Sequence, residues 1–71
     1  MPLSPRDLDY FLEVARQGQL AHASSHLDVT AAALSKAIRR LEWETGLALF
    51  ERSGQGMELT PYGGAFRERA L

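Results

Sequence analysis

Leu8, Phe11, Leu12 and Ala15 follow Ser4-Pro5-Arg6-Asp7 at spacings of i, i+3, i+4 and i+7, which lays one apolar stripe along a helix. Ser4 supplies the cap, Pro5 the first helical position, and Asp7 an acid near the positive end of the helix dipole. Arg16 falls in the last turn and Gly18 ends it, so the pattern predicts a core-facing helix over about 5–16. A shorter helix is predicted over Leu20 to Leu27, with Leu20, Ala23, Ser24 and Leu27 turned inward. The small side chains of Ala23 and Ser24 leave room for a neighbouring helix to approach closely. Asp28-Val29 is then a very short break.

The stretch Thr30 to Gly46 carries a start, a stop and two faces. The Thr30 hydroxyl can accept from an unpaired first-turn N–H. Val29 and Leu34 stand at the spacing of a hydrophobic staple, and Gly46 suits a left-handed helix end. Leu34, Ile38 and Leu41 cluster on one side; Lys36, Arg39 and Arg40 fall on the other. Taken by itself, such a segment is an ordinary amphipathic helix with a solvated charged face. Its place directly after a short helix and a tight turn changes that reading to helix-turn-helix. Beyond Gly46, strand-prone Leu47, Leu49 and Phe50, turn-rich 52–56, and Met57 and Leu59 alternating about Glu58 predict a hairpin pairing 49–52 with 57–60. A hairpin in that position is a wing. Thr60-Pro61 restarts a helix showing Tyr62, Phe66, Ala70 and Leu71, and no stop signal follows, so a piece of a longer protein is expected. The expected fold is mainly α: a winged helix-turn-helix of three helices, a short β-hairpin wing and the start of a linker helix.

Composition narrows the chemistry. Seventy-one residues make one small domain that buries only ~60% of its unfolded surface, so a few large side chains must form the core. There is no cysteine for a disulfide or a thiolate metal site. The first residues contain no apolar run of the signal-peptide kind, and no stretch reaches the roughly 18 apolar residues of a membrane span. The net charge is −1, from eight basic and nine acidic residues. DNA-binding domains are usually basic as a whole; here Lys36, Arg39 and Arg40 concentrate positive charge locally, while Asp7, Asp9, Glu13 and Glu58 lie elsewhere. Modest non-specific affinity is the expectation. His22 and His26 are four apart on one helix, but no third ligand or His-Glu-x-x-His pattern accompanies them, so no metal is expected. No nucleophile–base arrangement or phosphate loop is visible, and no catalytic residue or enzyme activity is expected.

At this level the residues become recognisable. Leu8-Asp-Tyr-Phe11, Leu27-Asp-Val-Thr30, Ala33-Leu34-Ser35-Lys36, Ile38-Arg-Arg-Leu-Glu42, Leu49-Phe-Glu-Arg52 and Leu59-Thr60 resemble the amino-terminal domain of LysR-type transcriptional regulators, without gaps over essentially the whole chain. The resemblance implies a winged helix-turn-helix DNA-binding domain over 1–60 and the truncated start of a dimerisation linker helix over 61–71. It implies a recognition helix over about 30–45 in the major groove and a wing over about 50–59 on flanking backbone or minor groove. The partners implied are double-stranded promoter DNA carrying an interrupted palindrome, and a homodimer or homotetramer formed through the linker helix. A small-molecule effector would act only through a C-terminal domain absent from this chain. No cofactor is expected in this domain, no membrane is involved, and the implied location is the bacterial cytoplasm, on the nucleoid.

The same resemblance assigns candidate DNA contacts. Where the family commonly has Gln and then Pro or Ser, this chain has Ala31 and Ala32, which offer only apolar contact, for instance to a thymine methyl. Ser35 and Lys36 match contact positions, so direct readout is expected to rest on them, with Lys36 toward a guanine edge or a phosphate. Arg52 matches the arginine at the wing base. Gln55 lies at the wing tip, where a basic residue is common. Thr30 is a cap and a candidate phosphate contact, and His22 a candidate pH-dependent one. Arg39 and Arg40 are candidate phosphate clamps, unless one is tied to Glu42 or Glu44 at helical spacing. Trp43 replaces a usual acid, and its sequence context leaves packing and exposure both open. The competing function is a winged-helix protein-interaction module, favoured by the −1 charge and the two alanines.

Overall fold

Four helices and one hairpin follow in the order α1 (Pro5–Gln17), α2 (Leu20–Leu27), α3 (Ala31–Thr45), β1 (Phe50–Ser53), β2 (Gly56–Leu59) and α4 (Pro61–Ala70), in a computed structural model that describes residues 3–54 and 56–71. Three of the helices begin at a hydroxyl cap. Ser4 Oγ accepts from the Asp7 N–H at 3.4 Å, Thr30 Oγ1 from Ala33 at 3.0 Å, and Thr60 Oγ1 from Gly63 at 3.0 Å. Each satisfies one first-turn donor that the helix cannot pair itself. α2 has no side-chain cap, so its position is set by packing between α1 and α3.

The buried side of α1 is rotated from the predicted stripe. Asp7, Phe11 and Val14 are its buried residues, while Leu8, Leu12 and Ala15 are only half-buried against the core. Phe11 stands at the centre, its ring 5.4 Å from Phe50 and edge-on to Phe66 at 5.1 Å. Leu34, Ile38 and Leu41 of α3 are fully buried as expected, joined by Ala37. One aromatic cluster thus joins α1, the hairpin and α4 with α3 beneath it, and gives so small a domain most of its cohesion.

The strands pair antiparallel with Phe50 opposite Leu59, Glu51 opposite Glu58, Arg52 opposite Met57 and Ser53 opposite Gly56. This is the predicted register, with the ladder moved one pair toward the tip; at the other end, Thr60 still donates to the Leu49 carbonyl at 3.1 Å. The hairpin is tied down on two sides. Met57 N–H donates to the Gly18 carbonyl at 2.8 Å, and the Glu42 carboxylate accepts from Leu49 N–H at 2.8 Å and Phe50 N–H at 3.3 Å.

α4 departs from its predicted face. Tyr62 is 61% exposed and Leu71 also faces out, while Gly63 is buried and Phe66 packs on the core. The cause is close backbone contact: only a residue without a side chain fits beneath the Leu49 carbonyl, so Gly63 rather than Tyr62 must face inward. Among the described residues, no helix is long and apolar enough to cross a membrane.

Candidate nucleic-acid interface

The three-residue turn, Asp28 to Thr30, begins at Asp28, which adopts a left-handed conformation (φ 58°) and closes α2. Asp tolerates this conformation better than most side chains. The chain therefore turns within three residues and presents the front of α3 to solvent. Thr30, Ala31 and Ala32 are exposed there, followed by half-buried Ser35 and exposed Lys36 and Arg39. Thr30, Ala32, Ala33, Ser35, Lys36 and Arg39 line one shallow, open concavity. Among the described residues, neither Lys36 nor Arg39 has an ion-pair partner. Five of the expected contact residues are thus brought together on a rigid helix whose opposite side is core.

Arg52 lies apart from them, exposed on β1, where it lines a separate cleft with Gln19, Leu20 and Met57 between the start of α2 and the wing. Gln55 lies outside the described residues. His22 is exposed on α2, and His26 Nε2 is 3.9 Å from Glu13 Oε2. That carboxylate already accepts from Arg16 and Gln17, and these bonds hold it below the usual range. Among the described residues, no three metal-ligating side chains are gathered. Trp43 projects into solvent at 87% exposure.

Arg40 requires a correction. Its partner is neither Glu42 nor Glu44 but Asp7, 33 residues away: Arg40 Nε donates to Oδ2 and Nη2 to Oδ1, each at 2.9 Å. Asp7 is 1% exposed and Arg40 48%. A carboxylate withdrawn from water must be compensated, and the planar fork of arginine does so with two parallel bonds. Glu42, two residues from Arg40, does not face it on the helix and instead accepts at the start of β1. The bonds from Arg40 hold the Asp7 carboxyl below its ordinary value against the opposing effect of burial, and Asp7 raises that of Arg40.

Asp7 and Glu42 are the residues that reading along the chain missed, although each left a signal. Asp7 shares a helix face with Phe11 and Val14 at i, i+4 and i+7, an acid on an apolar stripe. Glu42 is an acid in the last turn of α3, where the helix dipole disfavours it. Because the folded Asp7 titrates below its unfolded value of about 3.9, its contribution is complete above that pH and is lost as pH falls through the folded value. Urea midpoints measured between pH 6 and pH 2 are expected to fall on the acid side for the parent, and to fall less for Asp7→Asn; equal acid limbs would remove Asp7 from this role.

With this geometry in hand, the likeness to known proteins is informative. The family described as bacterial regulatory helix-turn-helix protein, lysR family, matches residues 5–64. The chain is 45% identical over 65 residues to the HTH-type transcriptional regulator BudR of Klebsiella aerogenes, covering 92% of this chain and 46% of that one. It is 41% identical over 63 residues to the uncharacterized HTH-type transcriptional regulator YcgK of Bacillus subtilis (strain 168), covering 89% of this chain and 19% of that one. The chain thus spans less than half the length of these relatives. Among solved structures it resembles the CbnR DNA-binding domain in complex with DNA, with a TM-score of 0.92 and 40% identity over 94% of this chain and 77% of that one. The BenM DNA-binding domain on benA site 1 DNA gives 0.88 and 33% over 94% and 78%. The turn that exposes α3, the wing behind it and the match over residues 5–64 agree: the chain belongs to the LysR family of bacterial regulatory helix-turn-helix proteins.

Proposed function

We propose that this chain is the sequence-specific DNA-reading head of a LysR-type transcriptional regulator and has no enzymatic role. The observation that carries this is the exposed front of α3, where Ser35, Lys36 and Arg39 share one concave face of a helix whose other side is buried core. Similarity to domains solved on DNA supports the same reading. In this reading α3 enters the major groove. Ser35 and Lys36 read base edges, Ala31 and Ala32 offer apolar contact, and Thr30 and Arg39 meet phosphates. Arg52 and Gln55 serve the wing contact on flanking backbone or minor groove, and His22 meets the backbone when protonated. α4 begins the linker through which copies pair on an interrupted palindrome. Effector binding belongs to another domain, this one needs no cofactor, and the protein works on the nucleoid in the cytoplasm.

Titrating salt against binding to duplex DNA tests the function. Affinity should fall linearly in log[salt] with a slope of roughly −0.9 per neutralised phosphate; a module that binds only protein would show no saturable duplex binding at any salt. Lys36→Ala should cost about 1–3 kcal/mol and relax preference at one base pair. Equal weakening on every duplex would move Lys36 from base to phosphate.

A further inference from the structure

The bond between Asp7 and Arg40 joins the first turn of α1 to the middle of α3, and the DNA-reading function has no direct use for it. Three observations bear on what it does. The Asp7 carboxylate is sealed from solvent, so it cannot meet a ligand. Arg40 gives Nε and Nη2 together to that carboxylate, which neutralises the charge that sequence assigns to the DNA face. Asp7 is itself fixed, its N–H donated to Ser4 Oγ within a capped first turn.

The remaining contacts between α1 and α3 are apolar. Packing of Leu34, Ile38 and Leu41 with Phe11 and Val14 in one cluster resists separation of the helices, but apolar burial is non-directional. Glu42 fixes α3 to the hairpin, and the Arg40 bonds are what fix it directionally to α1. A two-pronged arginine–carboxylate bond is directional. Arg40 lies one helical turn from Lys36, on the same rigid helix as Ser35 and Arg39, so an angle fixed at Arg40 is fixed at the front of α3. Base readout tolerates only about 0.5 Å or 10–20° of misplacement, whereas attraction to phosphate does not depend on such fine placement.

We propose that Asp7 and Arg40 are positioning residues for base readout, setting the rotation of α3 on α1, and that Arg40 is not a phosphate clamp. This rests on the DNA-reading function proposed above.

The test uses the full chain and two probes: a duplex enriched by the parent from random DNA, and a random-sequence duplex of equal length. Asp7→Asn and Arg40→Gln should each lower the preference for the enriched duplex, roughly 5–10-fold, and the double variant should lose no more than either single one. Affinity for the random duplex and its salt slope should stay at the parent's values. Arg40→Lys, which keeps the charge but not the fork, should lose an intermediate amount of preference; being a change at a half-exposed residue, it carries the test if Asp7→Asn does not fold. A drop of about 0.9 in the salt slope of Arg40→Gln would make Arg40 a phosphate contact and overturn the proposal. Equal losses on both duplexes would reduce the pair to general stability, and an unchanged preference would remove it from readout; either overturns it. A parent that binds neither duplex overturns the DNA-reading function and this proposal with it, an outcome distinct from altered preference in a parent that binds.

Discussion

Phe11→Ala is expected to leave the domain largely unfolded at 37 °C. Its ring is fully buried and touches Phe50 of the hairpin and Phe66 of α4, so truncation opens a cavity where three elements meet. Removing a core phenylalanine costs about 3–5 kcal/mol, the transfer of the ring plus the unfilled space. A chain of this length has in total only about 4–10 kcal/mol of stability. Loss of the two aromatic pairs adds to the effect, since such pairs are worth ~0.5–1.5 kcal/mol beyond their area. Thermal unfolding followed by far-ultraviolet circular dichroism checks it. A melting temperature within a few degrees of the parent's would mean that Phe11 is not the keystone and that α3 holds the fold without it. DNA binding should be lost in parallel on every duplex, which separates this variant from Asp7→Asn, where preference falls before affinity.

What could be read along the chain, and what could not, divides by sequence distance. Helix starts were legible because a cap and its target lie three residues apart, as Ser4 with Asp7, Thr30 with Ala33 and Thr60 with Gly63 show. The wing register was legible because alternating Met57, Glu58 and Leu59 fix which side of the strand is core. The basic face of α3 was legible from helical spacing, but the fate of each charge was not. Lys36 and Arg39 face solvent, while Arg40 is turned to a carboxylate 33 residues back. A local reading offers Glu42 and Glu44 as partners, because it cannot know that Glu42 is needed seven residues ahead, at the Leu49 amide. Net charge hides the distribution for a related reason: Asp7 and Arg40 cancel in the sum, while Lys36 and Arg39 stand together on the exposed side of α3. The inward face of α4 was misjudged because periodicity ranks Tyr62 above a glycine, and hydrophobicity carries no information about how closely two backbones approach.

That close approach makes Gly63→Ala the second large effect, and here two principles give opposite signs. Gly63 lies inside α4, where alanine is intrinsically better than glycine by about 1 kcal/mol. Helix propensity alone therefore predicts a stabilised variant. Against this, a Cβ at position 63 would overlap the Leu49 carbonyl oxygen, stand 2.9 Å from the Leu49 carbonyl carbon, and sit 3.0 Å from Leu59 Cδ2. The obstacle is mostly backbone, which no rotamer change relieves. It is also backbone under constraint, because the same carbonyl accepts from Thr60 N–H and the Leu49 N–H is held by Glu42. Forcing extra atoms into a packed site costs typically about 1–3 kcal/mol, and more where neighbours cannot move. At the upper end of that range, about 3 kcal/mol, the propensity gain of about 1 kcal/mol leaves an expected net loss of about 2 kcal/mol. The damage should fall on the joint between the wing and α4: Leu49 must shift, the Thr60 bond must lengthen, and Phe66 must withdraw from Phe11. Gly64, one residue on, is the control, since a Cβ there meets nothing within 4 Å. Gly64→Ala should be neutral or stabilising by up to about 1 kcal/mol. Urea unfolding of the two alanine variants beside the parent decides between the principles. If both are stabilised alike, propensity governs α4 and its seat against Leu49 is loose; if they move in opposite directions, the seat is as tight as the structure draws it.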